Sequence, residues 1–179
     1  MYPPAMIRLY VAASLDGYIA EADGGVGWLD AFMTPDAASS YERFLDDIGT
    51  IVMGRSTYEQ VLTFGEWAYG DRRTVVLTSA ELTKGPPGTE AVSLDALPDL
   101  LRQLAQEERD VWLMGGGQTV RAFLDLDAID EIELCLIPTL LGSGLRLFPR
   151  GSAVSRLQLA DVQQLSEGMV MLRYRRPTA

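Results

Sequence analysis

The sequence predicts a single α/β domain with a central, mostly parallel sheet flanked by helices and an antiparallel hairpin at its C-terminal end. Short apolar runs alternate with segments whose apolar residues recur at helical spacing, and two of these runs lead through glycine into a helix. The last two apolar runs flank a Ser-Glu-Gly turn, which is typical of a hairpin. We expect one domain over residues 1–179, with its core at about 6–175, because the chain is long enough to bury a full core.

The first half of the chain predicts two strands and two helices. Met6 to Ala13 is an apolar run that ends in the turn Ser14-Leu15-Asp16-Gly17, beyond which 18–20 continue. Apolar residues at helical spacing from Ala37 to Ile48 predict an amphipathic helix, with Asp36 as its N-cap after Pro35. Residues 50–53 form a short buried strand that Gly54 turns into the next helix.

The second half predicts the remaining elements. Strands are expected at 73–77, 111–114 and 131–137, helices around 97–104 and 118–125, and hairpin strands at 157–162 and 169–174. The segment 131–137 alternates cleanly, with one apolar face. The glycine-containing segment 138–144 is expected to be a loop.

Composition excludes several classes of function. The chain contains no histidine, so it has no Ser-His-Asp triad and no ordinary zinc site, and we predict no bound metal. A net charge of −10 argues against a nucleic-acid-binding surface. Cys135 is the only cysteine, which excludes an internal disulfide, and mid-strand it is expected to be a small core residue. There is no apolar run of about 18 residues and no basic-then-apolar leader, so we expect a cytoplasmic protein without membrane contact.

The most informative segment is the glycine run Gly115-Gly116-Gly117, between an apolar strand and a helix that begins with Gln118 and Thr119. Glycines and a helix N-terminus together present backbone N–H groups to an anion. The run is neither a P-loop nor a G-x-G-x-x-G motif, and a tight turn explains it about as well as phosphate binding. A second strand–glycine–helix junction, Gly54-Arg55-Ser56-Thr57, adds a cation and two hydroxyl groups.

Together these segments resemble the dihydrofolate reductase-like superfamily, and more closely the reductase domain of the bifunctional riboflavin biosynthesis protein. Five stretches carry the resemblance, in the order that the family shows. They are Ser14 to Ala20, Met53 to Glu59, Leu77-Thr78-Ser79, Gly115 to Gln118, and Ile137 to Phe148.

The resemblance implies a dihydrofolate reductase-like fold and NADPH as the cofactor. It implies that the pyrophosphate is bound by the backbone of Gly115, Gly116, Gly117, Gln118 and Thr119, with Thr57 from the Gly54–Thr57 junction. It implies that Arg55 pairs with the 2′-phosphate, beside Ser56 and the strand end Leu77-Thr78-Ser79. The nicotinamide is expected beside Ala12, Ala13 and Ile19. The simpler alternatives are a solvated arginine at position 55 and, at Thr57, a hydroxyl that only satisfies an N–H of the first helical turn.

The second substrate needs a proton as well as a hydride, and without histidine the candidate residues are acidic. Asp16 is the first choice because the Leu-Asp-Gly turn lies near the substrate in the riboflavin branch, although a turn-stabilising aspartate is an equal alternative. Asp30, after Trp28, is the second, and an exposed loop carboxylate is its alternative. Trp28 and Trp67 are candidate contacts for a flat substrate, although aromatics in a loop such as 64–70 more often anchor the loop.

Three functions remain open. The first is an NADPH-dependent reductase of the riboflavin type, acting on a pyrimidine ribosylamine phosphate or another small heterocycle or sugar phosphate. The second is a dihydrofolate reductase, and the third is an NADP(H)-binding sensor or interaction protein without turnover. The resemblance also implies a homodimer, for which strand 131–137 and the C-terminal hairpin could supply an edge or a face.

Overall fold

A computed structural model describes residues 4–151 and 155–177 of the chain. The strands are β1 Ile7–Ser14, β2 Tyr18–Ala20, β3 Ile48–Gly54, β4 Arg73–Leu77, β5 Glu90–Val92, β6 Asp110–Gly115, β7 Glu131–Ile137, β8 Leu145–Arg146, β9 Gln158–Gln164 and β10 Val170–Arg175. The α-helices are α1 Pro35–Asp47, α2 Arg55–Val61, α3 Leu97–Leu104 and α4 Gly117–Asp125. Short 3₁₀ turns occupy Gly27–Phe32, Leu94–Ala96 and Ser166–Gly168.

Eight strands form one sheet in the order β5-β4-β3-β6-β1-β7-β10-β9. The six strands from β5 to β7 pair in parallel, whereas β10 runs antiparallel to both β7 and β9. Strands β2 and β8 form a separate antiparallel ribbon. The fold class predicted from the sequence, including the C-terminal hairpin, is confirmed.

Helices cover both faces of the parallel strands. Helices α3 and α4 pack Leu100 and Phe123 into the main core, against strand residues such as Leu9 and Leu113. On the other face, α1 and α2 pack Phe44 and Tyr58 against a second cluster. This arrangement leaves the carboxyl ends of the parallel strands together at one edge of the sheet, where ligands bind in open α/β folds.

The N-cap of α1 differs from the prediction, which placed it at Asp36. The N-cap is Thr34, whose hydroxyl accepts from the Ala37 N–H at 3.4 Å, and Pro35 takes the first helical position. The Asp36 carboxylate instead accepts hydrogen bonds from the N–H of Ser166 at 2.7 Å and from its hydroxyl at 3.0 Å. Asp36 therefore joins the start of α1 to the turn between β9 and β10.

Two further strands, β5 and β8, were not predicted. They have three and two residues, too few to show an alternating pattern. Within the described ranges, no helix has both the length and the apolar character that crossing a membrane requires.

Candidate functional site

The candidate site lies where four parallel strands end side by side. In the sheet, Gly54 at the end of β3 pairs with Leu77 at the end of β4, and Met53 pairs with Gly115 at the end of β6. Strand β1, which ends with Ala13 and Ser14, is the next neighbour of β6. Residues predicted from four separate segments of the sequence therefore lie along one edge of the sheet.

At the centre of this edge, β6 turns directly into α4. Gly115 has a φ of +116°, a backbone conformation that favours glycine, and a cis peptide bond joins it to Gly116. Gly116 is the N-cap of α4, and no side chain caps its N-terminus. The first N–H groups of this helix are thus available to a ligand, and they carry the positive end of the helix dipole.

The glycines around this turn have different neighbours. A Cβ built on Gly116 would lie 3.5 Å from the Thr57 hydroxyl oxygen and 3.8 Å from the Cδ1 of Ile19, which are ordinary contacts. A Cβ on Gly117 would overlap the backbone carbonyl oxygen of Arg146. Gly117 is therefore required by packing within the protein, whereas Gly116 opens towards Thr57 and Ile19, both of which are predicted to contact the cofactor.

The second junction brings α2 against α4. A Cβ on Gly54 would lie 2.5 Å from the hydroxyl oxygen of Thr119, so glycine at position 54 lets the two helix starts approach closely. Thr119 itself is buried in the first turn of α4, and its neighbour Gln118 is exposed.

Arg55 begins α2, and its side chain is 41% exposed. Its Nε donates to Glu59 at 2.7 Å, which leaves the two terminal nitrogens of the guanidinium for another acceptor. Ser56 is exposed on the same turn. On the neighbouring strand end, the Thr78 hydroxyl oxygen accepts from the Ala80 N–H at 3.1 Å, and Ser79 is exposed. The arrangement can bind an anion beyond the ends of β3 and β4.

At the β1 end of this edge of the sheet, Ala13 is buried and Ala12 is half-buried. Ile19 lies on β2, packs against the main core and faces Gly116. Ala12 belongs instead to a third apolar cluster with Trp28, on the opposite face of the sheet. Ala13 and Ile19 therefore lie on one side of β1, and Ala12 lies on the other.

The Asp16 carboxylate joins two loops. It accepts hydrogen bonds from the Ser14 hydroxyl at 2.6 Å, from Leu141 N–H at 3.2 Å and from Gly142 N–H at 2.7 Å. These bonds, with that from Ser14 the strongest, lower the pKa of Asp16 below its ordinary value. Asp16 is thus an ionised carboxylate that holds the β1–β2 turn against the loop 138–144.

The other predicted substrate residues are differently placed. Asp30 is exposed on the 3₁₀ turn Gly27–Phe32, and its carboxylate makes no hydrogen bond to another residue of the described ranges. Trp28 packs against the same third cluster as Ala12, and its indole N–H is buried without a hydrogen-bond partner in the described part of the chain. The indole N–H of Trp67 is buried in the same way, so this feature does not distinguish the two tryptophans.

Trp67 packs into the protein. Its ring contacts Tyr58 and Tyr69 edge-on, at centroid distances of 6.1 and 5.0 Å, and Tyr69 in turn contacts Trp112. These contacts agree with the loop-anchoring alternative for Trp67 rather than with substrate binding. Cys135 is also internal, and burial raises the pKa of its thiol to about 11, as expected for a small core residue.

Arg146, for which no role was predicted, lies on β8 against the start of α4. Its guanidinium carbon is 4.9 Å from the centroid of the Tyr18 ring, and one of its terminal nitrogens donates to the Tyr18 hydroxyl at 3.2 Å. Within residues 4–151 and 155–177 it has no carboxylate partner. Arg146 stands in a stretch that carried the resemblance, but only the pairing of β8 with β2 brings it to the glycine run.

The fold and this edge together define an α/β protein with a phosphate-compatible turn at the centre of the edge. The chain belongs to the RibD C-terminal domain family, whose sequence model matches residues 5–171. Over 167 residues it is 33% identical to YwjB, an uncharacterised protein of Bacillus subtilis, a match that covers 93% of this chain and 95% of that protein.

Solved structures show the same fold. A protein of Shewanella sp. PV-4 named for riboflavin biosynthesis superposes with a TM-score of 0.81 at 27% identity, covering 97% of this chain and 99% of that one. The Thermotoga maritima deaminase/5-amino-6-(5-phosphoribosylamino)uracil reductase gives 0.71 at 20% identity, covering 97% of this chain and 57% of that one. Dihydrofolate reductase from Enterococcus faecalis, complexed with NADP(H), gives 0.71 at 19% identity, covering 99% and 100%. The last two likenesses, below 25% identity, show the fold alone.

Proposed function

We propose that this protein is an NADPH-dependent reductase. Its substrate would be a small heterocycle or sugar phosphate similar to 5-amino-6-(5-phosphoribosylamino)uracil. One observation carries the proposal: the Gly116 side of the β6–α4 turn is open towards Thr57 and Ile19, and the start of α4 has no side-chain cap. A phosphate accepts hydrogen bonds from such backbone N–H groups without meeting a Cβ. The family and the NADP(H) complex of the dihydrofolate reductase neighbour support this choice of cofactor.

Different residues along this edge of the sheet would bind different parts of the cofactor. The N–H groups of Gly117 to Thr119, with the hydroxyl of Thr57, would bind the pyrophosphate. Arg55, with Ser56 and the strand end at Thr78 and Ser79, would bind the 2′-phosphate, since a guanidinium offers two parallel donors to a phosphate. The apolar surface of Ala13 and Ile19 would receive the nicotinamide. Two anionic groups are thereby held by local donors in a protein of net charge −10.

The bound cofactor supplies a hydride, and the protein must orient the substrate and provide for the proton. Asp16 is suited to positioning, because its ionised carboxylate already accepts three hydrogen bonds from the two loops. Asp30, exposed and without such bonds to the described residues, would be the second candidate for the catalytic carboxylate. Trp28, partly buried against the third apolar cluster, would contact the ring of a flat substrate.

The proposal is tested by NADPH oxidation, followed at the absorbance of the reduced nicotinamide, with three kinds of substrate. Oxidation with the pyrimidine ribosylamine phosphate supports the riboflavin type, and oxidation with dihydrofolate alone would replace it by dihydrofolate reductase. A panel of carbonyl compounds extends the search to other small molecules. Tight NADPH binding without oxidation of any of these would favour the sensor and contradict the proposed reductase.

The role of Arg55 gives the first specific prediction. Arg55→Ala should weaken NADPH binding by roughly 10- to 100-fold, the value of a charge-assisted hydrogen bond to phosphate, and should change NADH binding little. Fluorescence titration of both nucleotides measures the difference. Arg102→Ala is the matched control, since Arg102 is an exposed helix arginine paired with Asp99. An equal loss for NADPH and NADH would show that Arg55 does not contact the 2′-phosphate.

A further inference from the structure

The loop between β4 and β5, residues 78–89, carries a cation that the proposed function leaves without a role. Lys84 is the only lysine of the chain. It is exposed, and its side chain forms no hydrogen bond or ion pair with any residue of the described ranges. In a protein with 25 acidic and 15 basic side chains, this ammonium group is thus not neutralised by a carboxylate of that part of the chain.

The backbone of Lys84 is fixed against α2. Its carbonyl oxygen accepts a hydrogen bond from the Tyr58 hydroxyl at 2.7 Å, and Tyr58 itself is buried. At the next residue, Gly85 has a φ of +115°, and a Cβ there would overlap the Tyr58 hydroxyl oxygen. Leu82 packs against the same apolar cluster as Tyr58. The loop is therefore held close to α2 at the residue that carries the lysine side chain.

This contact with Tyr58 brings Lys84 near the residues predicted to bind the 2′-phosphate. Tyr58 and Arg55 are three positions apart on α2, so they are neighbours on the surface of the helix, with Cβ atoms about 5–6 Å apart. The loop itself begins with Thr78 and Ser79, at the end of the strand next to β3. Lys84 is thus connected to both of the elements that supply the proposed 2′-phosphate site.

The charges of that site require a second cation. The 2′-phosphate of NADPH is a phosphate monoester, which carries a charge of about −1.5 to −2 near pH 7. The Arg55 guanidinium carries one positive charge, and the Glu59 carboxylate, 2.7 Å from its Nε, offsets that charge. The hydroxyl groups of Ser56, Thr78 and Ser79 donate hydrogen bonds but bring no charge. In a protein of net charge −10, a dianion needs a further positive group close by.

We infer that the Lys84 ammonium is this second cation and contacts the 2′-phosphate together with Arg55. The inference rests on the proposed function, because it assigns a further residue to the cofactor site proposed above. Lys84 acts as a point charge, whereas the planar guanidinium of Arg55 offers two parallel donors. The loop between β4 and β5 thereby contributes to the selection of NADPH over NADH, which lacks this phosphate.

The variant Lys84→Gln tests the inference by nucleotide titration. It should bind NADPH roughly 5- to 10-fold more weakly, a smaller loss than for Arg55→Ala because an ammonium group is strongly hydrated and flexible. Its affinity for NADH should be unchanged. Adenosine 2′-monophosphate, which carries the 2′-phosphate without the rest of the dinucleotide, should show the same loss as NADPH.

Two further variants are the controls. Lys84→Arg keeps the positive charge and should retain most of the affinity for NADPH. Arg102→Gln removes one positive charge from an exposed position on α3, so it shows how much of the loss comes from net charge alone. All three residue changes are at exposed positions, so the variants should fold, which melting curves will verify.

Chemical modification gives an independent measurement, because Lys84 is the only side-chain amine of the chain. Acetylation by an N-hydroxysuccinimide ester is followed by mass spectrometry of the peptide that contains residue 84. Saturating NADPH should slow this reaction, whereas saturating NADH should not. The α-amine at the start of the chain serves as the internal control for the reagent.

An unchanged affinity of Lys84→Gln for NADPH would overturn the inference, and so would equal losses for NADPH and NADH. Equal protection of Lys84 from acetylation by the two nucleotides would contradict it as well. Each of these results leaves the proposed function standing, because the unsubstituted protein still binds NADPH. If the unsubstituted protein bound neither NADPH nor adenosine 2′-monophosphate, the inference and the proposed function would both be wrong.

Discussion

Gly116 and Gly117 are adjacent in the glycine run, yet a side chain would meet very different surroundings at the two positions. At Gly116 a Cβ has ordinary contacts with Thr57 and Ile19, whereas at Gly117 it would overlap the carbonyl oxygen of Arg146. A backbone oxygen cannot move aside as the end of a flexible side chain can. The first glycine thus faces the proposed ligand, and the second faces the protein itself.

This difference predicts opposite phenotypes for two single substitutions. Gly116→Ala should melt near the unsubstituted protein and bind NADPH at least about tenfold more weakly, a loss of about 1.4 kcal/mol, because the new Cβ stands where the phosphate approaches. Gly117→Ala should be destabilised by about 1–3 kcal/mol, the usual cost of overpacking. Thermal melts and nucleotide titrations of both variants measure the two effects. If Gly116→Ala kept its affinity, the glycine run would be only a turn.

The role of a residue could be predicted where it depends on a sequence pattern of a few residues. It could not be predicted where it depends on a contact with a residue far away in the sequence. The strand–glycine–helix junctions at Gly54 and Gly115 follow from patterns of a few residues, and the structure places them together. Whether Asp16 reacts or holds a turn depends on the N–H groups of Leu141 and Gly142, about 125 residues away. Arg146 reaches the glycine run through a two-residue strand, too short to recognise from the sequence.

At the scale of the element, the start of α1 depends on a tertiary contact. Thr34 and Asp36 are both good capping residues, so local sequence does not choose between them. The choice is made by Ser166, in the turn between β9 and β10, which donates two hydrogen bonds to Asp36. The hydrogen bond from the Thr34 hydroxyl and those from Ser166 lower the pKa of Asp36 to about 2.

A carboxyl group with a lowered pKa in the folded protein stabilises it above the ordinary pKa of aspartate, near 4, and loses this effect as the pH falls towards 2. Asp36→Asn should therefore lower the melting temperature by a few degrees at pH 6, because the amide cannot replace the charged acceptor. The difference between the two proteins should shrink steadily between pH 4 and pH 2. Melting curves across this range test the expectation, and a difference independent of pH would mean that the charge of Asp36 has no part in it.

At the scale of the whole molecule, one buried arginine joins the elements at the end of the sheet opposite the candidate site. Arg8, near the start of β1, pairs through its Nε with Glu131 at 3.3 Å and through a terminal nitrogen with Asp47 of α1 and Asp110 of β6, each at 3.1 Å. It also pairs with Glu133. The alternating pattern of β7 predicted one apolar face, but only the assembled sheet shows that the charged face is the covered one.

Removing this arginine leaves two glutamates buried without their main partner, which is far more costly than losing an exposed ion pair. Arg8→Met should lower the free energy of unfolding by about 3–5 kcal/mol, whereas Arg102→Met, at a side chain 73% exposed, should cost less than about 1 kcal/mol. Urea denaturation of the three proteins measures both values. Because Arg8 and the glycine run lie at opposite ends of the strands, folded Arg8→Met should still bind NADPH with unchanged affinity. Equal costs for the two substitutions would mean that Glu131 and Glu133 are stabilised without Arg8, by Arg173 and Arg175 alone.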